Sequence, residues 1–129
     1  MVALRDSIRI MVVDDMSTSR GLIIQALEEL GIKKIDFCKD GASALRQLAA
    51  NPVHLVISDY NMPGLDGLGL LKGIRENKTT QRMGFILVSG TATRDIIEKG
   101  QSLGMNNFIK KPFTTDGMRK AIQAVVGAL

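Results

Sequence analysis

Five polar residues of this chain each follow an apolar run, and their types suit the handling of a charged oxygen group. They are Asp14 and Asp15, Asp59, Ser89 and Lys111. Three carboxylates held close together repel one another, so they need a bound cation or shifted pKa values. A hard divalent ion such as Mg²⁺ takes oxygen ligands, often one or two carboxylates together with phosphate oxygens. The residue types therefore predict a magnesium site that receives a phosphoryl group.

The three acids are assigned different roles at that ion. We expect Asp15 and Asp59 to be direct ligands and Asp14 to bind through a water molecule. The chain has a single histidine and a single cysteine, which leaves too few nitrogen and sulfur donors for a typical zinc site. The predicted cofactor is therefore Mg²⁺.

Asp59 is the predicted phosphoacceptor because it occupies the middle of the set. The metal and the ammonium of Lys111 would neutralise the charge that spreads over the phosphoryl oxygens, and Ser89 can donate a hydrogen bond to one of them. The predicted reactive residues are thus Asp59, Ser89 and Lys111.

Regular alternation of strands and helices is what would bring these residues together. Short apolar runs predict strands at residues 8–13, 35–38, 55–57, 85–88 and 107–110. Apolar residues at helical spacing follow each run, with predicted helix starts near Ser17, Gly41, Leu65, Thr93 and Thr114. The strands are too apolar to face water, so the pattern predicts a doubly wound α/β fold: a five-stranded parallel sheet covered on both faces by five helices. Ligands of such sheets bind beyond the carboxyl ends of the strands.

Local signals set several boundaries and several structural side chains. Ser17 or a neighbour is the expected N-cap of the first helix and Gly31 its terminator, and Asp40 is the expected N-cap of the second helix. We expect Cys38 to be a small buried hydrophobe and His54 to be structural or exposed. Met16 lies beside the acidic pair in sequence and is expected to border the site.

Composition places limits on the class of protein. The chain has 129 residues, of which 45% are hydrophobic and 23% charged, typical of one globular domain. No apolar run reaches membrane-spanning length and no signal segment is evident, so we expect a cytoplasmic protein that avoids membranes. The net charge is +4, and residues 90–129 hold six basic and three acidic residues. No basic block with interleaved aromatic residues favours nucleic acid.

Two other functions use similar residues. A phosphatase of the haloacid dehalogenase type also has a nucleophilic strand-end Asp, but it needs a second Asp two residues later as general acid, where this chain has Asn61. A flavin-binding protein would use Ser17, Thr18 and Ser19 as a phosphate loop, but the acidic pair just before them would repel a phosphate without a metal.

The chain resembles the receiver domains of two-component response regulators, and specifically the receivers of bacterial chemotaxis, over essentially its whole length. The resemblance lies in segments 12–15, 30–31, 56–63, 66–67, 70–72 and 111–114, which read VVDD, LG, VISDYNMP, DG, LLK and KPFT. It implies one receiver domain over residues 1–129, with no output domain, and a flavodoxin-like sheet of strand order 2-1-3-4-5.

The resemblance also implies how the site works. Asp59 would take a phosphoryl group from a histidine kinase and lose it to water with the help of Mg²⁺, so the chain would be a self-dephosphorylating phosphoacceptor rather than an enzyme. The main-chain carbonyl of Asn61 would complete the metal site, beside Asp14, Asp15 and Asp59. The Lys111-Pro112 peptide bond would be cis.

The implied switch pair is Ser89 and Phe108, where the family usually has Thr and Tyr. In the family the hydroxyl of the fourth strand moves onto the phosphoryl group while the aromatic residue of the fifth strand turns inward. Ser lacks a methyl group and Phe lacks a hydroxyl, so we expect Phe108 to switch by packing alone.

We therefore expect a monomeric, stand-alone response regulator of chemotaxis. Its output would be phosphorylation-dependent protein binding, for example to the flagellar motor switch. The alternative is a phosphate sink that drains the shared kinase without acting on the motor. Residue types alone leave both open.

Overall fold

The computed structural model describes residues 3–129, which form five strands and six helices. In chain order these are α1 (Leu4–Ser7), β1 (Arg9–Val13), α2 (Ser17–Glu29), β2 (Lys34–Cys38), α3 (Gly41–Ala50), β3 (Leu55–Asp59), α4 (Gly67–Glu76), β4 (Gly84–Ser89), α5 (Arg94–Ser102), β5 (Asn107–Lys110) and α6 (Thr115–Val126). The predicted strands and helices are all present. The count of five helices was wrong by one, because α1 is a single turn with no buried residue and leaves no apolar periodicity in the sequence.

The strands form one parallel sheet in the order β2-β1-β3-β4-β5. This confirms both the fold class and the strand order. The register sets Val13 beside Ser58, so the residues that follow them, Asp14 and Asp59, leave the sheet at the same level. Ser89 pairs with Lys110, which brings the ends of β4 and β5 to that edge as well.

Alternate strand residues bury themselves in two separate cores. Ile10 and Val12 face a core shared with α2 and α6, whereas Met11 and Val13 face one shared with α3, α4 and α5. Every residue of β3 is buried, including the polar Ser58 and Asp59 at its carboxyl end. Two-sided burial explains the continuous apolar runs and holds the strand ends rigidly.

The edge strand β2 departs from the prediction that all strands are shielded from water. Lys34, Asp36 and Phe37 are exposed, and only Cys38 is buried. Cys38 is buried, as expected, and its thiol donates to Gln47 Oε1 at 2.9 Å. An edge strand has a neighbour on one side only, which permits this exposure.

Most helix starts follow the predicted capping rules. Asp40 and Thr93 accept hydrogen bonds from backbone N–H groups of the first turns of α3 and α5. The start of α2 differs, because Ser17 is its first residue and the N-cap is Met16, whose side chain makes no capping bond. Gly31 follows α2 with φ of +82°, as expected for a residue that ends a helix.

Gly67 begins α4 directly against the end of β3, the strand that carries Asp59. A Cβ atom at this position would lie 2.5 Å from the carbonyl oxygen of Asp59, 2.7 Å from Leu87 Cδ1 and 3.0 Å from Tyr60 Cα. The helix can approach the end of β3 this closely only because residue 67 has no side chain.

Replacing Gly67 by alanine should therefore destabilise the protein by about 1–3 kcal/mol, because the contacts include backbone atoms that cannot move cheaply. The matched control is Gly21→Ala in α2, where nothing lies within 4 Å of the added Cβ. That change should stabilise the protein by about 0.5–1 kcal/mol, as alanine does in helices. Urea unfolding followed by circular dichroism measures both, and equal effects would contradict the close approach.

Candidate functional site

Three carboxylates meet at the carboxyl ends of β1 and β3. Asp14 is completely buried and Asp59 is 7% exposed, whereas Asp15 lies in the open loop after β1. One oxygen from each of the three lies within 4.8 Å of the others. The register of β1 and β3 produces this meeting, as the sequence pattern predicted.

Lys111 reaches across this cluster from the end of β5. Its ammonium donates to Asp59 Oδ1 at 2.8 Å and to Ser19 Oγ at 2.7 Å, and it lies 3.9 Å from Asp14 Oδ2. Its backbone N–H donates to the carbonyl of Ser89 at 2.9 Å, and the Lys111-Pro112 bond is cis, as expected. One positive charge thus faces three negative ones.

The loop after β1 holds Asp14 by both its side chain and its main chain. Asp14 Oδ1 accepts a hydrogen bond from Met16 N–H at 3.0 Å, and its carbonyl accepts one from Arg20 Nη1 at 2.9 Å. Within residues 3–129, Asp14 Oδ2 is buried without a hydrogen-bond partner. A buried carboxylate oxygen without a partner is costly, so this atom is poised for a ligand.

Burial is the main influence on Asp59, and it raises the pKa of that carboxyl above its ordinary value. The hydrogen bond and the charge of Lys111 oppose the rise, while the charges of Asp14 and Asp15 add to it. Lys111 therefore offsets only part of the penalty that burial places on the charged carboxylate. The site favours a further positive charge.

The donor set fits Mg²⁺. Three carboxylate oxygens lie within 4.8 Å of one another, and oxygen is the ligand atom that Mg²⁺ takes in proteins. The cluster opens into a depression of about 520 Å³ whose lining includes Asp15, Asp59, Asn61 and Lys111. Asn61 therefore borders the site, as expected from the sequence.

The remaining predicted residues do not all line the opening. Met16 is 61% exposed and lines the same depression, so it borders the site as expected. Ser89 is buried, and its Oγ accepts a hydrogen bond from Thr91 N–H at 3.0 Å rather than contacting a carboxylate. Phe108 lies half-buried against the core under α3, α4 and α5. His54 is exposed and accepts a hydrogen bond from Arg9 N–H.

Sequence reasoning missed two side chains of α2 that shape the site. Ser19 contacts Lys111, and Arg20 both binds the Asp14 carbonyl and stacks 4.7 Å from the centre of the Phe37 ring. Ser19 was considered only as part of a phosphate loop with Ser17 and Thr18. No spacing rule signals these contacts, because they depend on how α2 packs against β1 and α6.

Comparison with known proteins decides the family. A family model described as the response regulator receiver domain matches residues 10–123. The chain belongs to the response regulator receiver domain family. A probable chemotaxis protein CheY of Rhizobium etli is 41% identical over 128 residues, which cover 99% of each chain. Receiver domains are phosphoacceptor regulators that act with histidine kinases, and they are not enzymes in the usual sense.

Solved receiver structures agree in fold. Chemotaxis protein CheY4 of Vibrio cholerae superposes with a TM-score of 0.85 at 23% identity, covering 92% of this chain and 98% of its own. The receiver domain of a sensor histidine kinase from Pseudomonas aeruginosa superposes with a TM-score of 0.84 at 25% identity, covering 94% and 98%. That second structure holds a magnesium ion in its active-site cleft.

Neither alternative family gains support from the receiver structure. The second acid that a haloacid dehalogenase needs is replaced by Asn61, and the Ser19 hydroxyl is engaged by Lys111 instead of facing an open phosphate loop. Among residues 3–129, no helix has both the length and the apolar character needed to cross a membrane.

In the metal-free receiver, the Asp59 carboxyl should titrate above its ordinary value of 3.8. Carbon-13 NMR of the side-chain carboxyl measures this directly. Because the pKa is higher in the folded than in the unfolded chain, the stability contributed by protonated Asp59 is complete below pH 3.8 and is lost as the pH rises through the folded value.

Substitutions near Asp59 test the causes of that shift. Lys111→Met should raise the pKa further, since it removes a hydrogen bond and a positive charge, and Asp14→Asn should lower it. The matched control is Lys110→Met, the same change at the exposed neighbouring position. It should leave the pKa of Asp59 unchanged. A midpoint at or below the ordinary value in the wild type would contradict the burial argument.

Proposed function

We propose that this receiver is a stand-alone response regulator of chemotaxis that takes a phosphoryl group from a histidine kinase onto Asp59. The observation that carries the proposal is the ammonium of Lys111 held 2.8 Å from Asp59 Oδ1 inside a cluster of three carboxylates. The similarity of a chemotaxis protein over nearly the whole chain supports the biological role.

Transfer would begin with attack of an Asp59 carboxylate oxygen on phosphorus. A new phosphorus–oxygen bond forms while the bond from phosphorus to the donor breaks, either to the imidazole nitrogen of the kinase or to the carboxyl oxygen of acetyl phosphate. The electron pair of that bond leaves with the donor. Lys111 can donate to a phosphoryl oxygen, which offsets the charge that develops there.

Asp14, Asp15 and Asp59, with the main-chain carbonyl of Asn61, would hold Mg²⁺. When bound, the ion supplies the positive charge that three carboxylates and a phosphoryl group together require. The partnerless Oδ2 of Asp14 supports this assignment. Loss of the phosphoryl group to water would return Asp59 to its resting form, which makes the chain a self-dephosphorylating switch.

The phosphoryl group would be read through Ser89 and Phe108. Ser89 Oγ accepts from Thr91 N–H, so its own hydrogen remains to be donated to a phosphoryl oxygen. Both residues lie at the sheet edge next to α5, where Phe108 packs against the apolar core. Movement of Ser89 toward Asp59 would draw the β4–α5 loop inward and open space for the Phe108 ring.

The output surface would comprise α5, β5 and α6 and would bind protein as a monomer in the cytoplasm. Lys99, Lys110, Arg119 and Lys120 lie on these elements and are exposed or half-exposed. Lys99 pairs with Asp95, and both Arg119 and Lys120 pair with Asp116, so much of this charge is internally compensated. An acidic segment of the motor switch would complement the positive charge that remains on this surface.

Incubation with acetyl phosphate and Mg²⁺ should add one phosphoryl group to the protein, measured by intact-mass spectrometry. Asp59→Asn or chelation of the metal should abolish the gain, and Lys111→Met should slow it by about a hundredfold, the usual loss when one charge-stabilising donor is removed. Asp36→Asn is the matched control, because Asp36 lies exposed on β2. A wild-type protein that stays unlabelled beside an autophosphorylated kinase would refute the phosphoacceptor role.

Beryllofluoride, which stands in for a phosphoryl group on Asp59, should turn Phe108 from its half-buried position into the core and increase binding to motor switch components. A crystal structure of the loaded protein tests the first effect, and a pull-down with and without beryllofluoride tests the second. Phe108 in its original position would contradict switching by packing. Equal, weak capture in both states would favour the phosphate sink.

A further inference from the structure

Ser19 has no role in the function proposed above, yet its hydroxyl makes the shortest contact of the Lys111 ammonium. The Nζ–Oγ distance is 2.7 Å, against 2.8 Å to Asp59 Oδ1 and 3.9 Å to Asp14 Oδ2. Ser19 belongs to the first turn of α2, where a serine hydroxyl often caps the helix. Here the N-cap is Met16 and the Ser19 oxygen accepts from Lys111 instead.

The number of donors on an ammonium gives this contact a consequence. Lysine has three N–H bonds in a fixed tetrahedral arrangement. Asp59 takes one and Ser19 takes a second, so the direction of the third is determined by these two anchors. With Asp59 as the only anchor, changes in the side-chain torsions of Lys111 could turn the ammonium about its hydrogen bond to Asp59. The other two N–H groups would then sample many directions.

The α2 scaffold holds the Ser19 hydroxyl in a fixed position relative to the carboxylates. Arg20, the next residue, donates to the Asp14 carbonyl at 2.9 Å, and its backbone N–H donates to the carbonyl of Met16 at 2.8 Å. The first turn of α2 is therefore tied to the same loop that carries Asp14 and Asp15. A side chain on a rigid element tied to the site can position a neighbour accurately.

We infer that Ser19 is a positioning residue that orients the Lys111 ammonium toward the phosphoryl group. The inference depends on the proposed phosphoacceptor function and adds a residue to it. The contact with Asp59 must weaken when that carboxylate becomes an acyl phosphate, because one of its oxygens is then bonded to phosphorus. Ser19 is neutral and chemically unchanged by transfer, so it can hold Lys111 before and after the step.

Ser19→Ala should slow labelling of Asp59 by acetyl phosphate and Mg²⁺ by about tenfold, the lower end of what loss of a hydrogen bond to a charged group costs. Ser19→Thr keeps the Oγ atom and should restore the rate, since its extra methyl group has room in the groove of about 580 Å³ that Ser19 lines. Ser17→Ala is the matched control, an exposed serine in the same turn, and should behave as the wild type.

Two further measurements separate positioning from a general structural effect. In a Lys111→Met background, Ser19→Ala should have no additional effect on labelling, because the residue acts only through Lys111. In metal-free protein, nitrogen-15 NMR should show faster hydrogen exchange at the Lys111 ammonium in Ser19→Ala than in the wild type. If the Lys111→Met protein is labelled too slowly for comparison, the exchange measurement alone tests whether Ser19 positions Lys111.

The possible failures are distinguishable. A wild type that accepts no phosphoryl group would refute the proposed function itself. A labelled wild type with Ser19→Ala equally fast, or with unchanged ammonium exchange, would overturn the role of Ser19 and leave the phosphoacceptor intact. Slower labelling that persists fully in the Lys111→Met background would likewise overturn it, since Ser19 would then act by another route.

Discussion

Electrostatic repulsion among three carboxylates at one edge of the sheet is the constraint on which the site depends. The register of β1 and β3 forces Asp14 and Asp59 to the same level, and the buried sheet beneath them prevents either from moving away. Lys111 supplies one positive charge against three carboxylates, and burial still raises the pKa of Asp59 despite the hydrogen bond from that ammonium. In the proposed function a divalent cation would relieve this repulsion and so prepare Asp59 for phosphoryl transfer.

The rigidity of that edge comes from packing that is unrelated to the chemistry. Both faces of β3 are covered, and Gly67 lets α4 press directly against the Asp59 carbonyl. A strand held from both faces cannot relax when like charges meet at its end. Asp14 and Asp59 are therefore held by the buried ends of β1 and β3, whereas Asp15 lies in the open loop after β1.

Much of the fold and of the candidate site could be predicted from the sequence because both depend on local patterns. A β-branched run ending in Asp places that acid at a strand end, and Asp40 caps α3 through a contact only three residues away. The N-cap of α2 was expected at Ser17 or a neighbour and lies at the neighbour Met16, whose side chain makes no capping bond, while Asp14 accepts from Met16 N–H. The exposure of β2 depends on its place at the sheet edge, which apolar content does not reveal.

Contacts between elements that are distant in the chain could not be predicted from the sequence, and the contact of Ser19 with Lys111 is the clearest case. Ser19 lies 92 positions from Lys111, and its hydroxyl reaches the ammonium only because α2 and α6 pack on the same face of the sheet as neighbours. A family motif identifies the charged residues of the site, but it does not identify the neighbouring side chains that orient them. The role proposed for Ser19 therefore depends on the packing of α2 beside α6, which no motif of charged residues reveals.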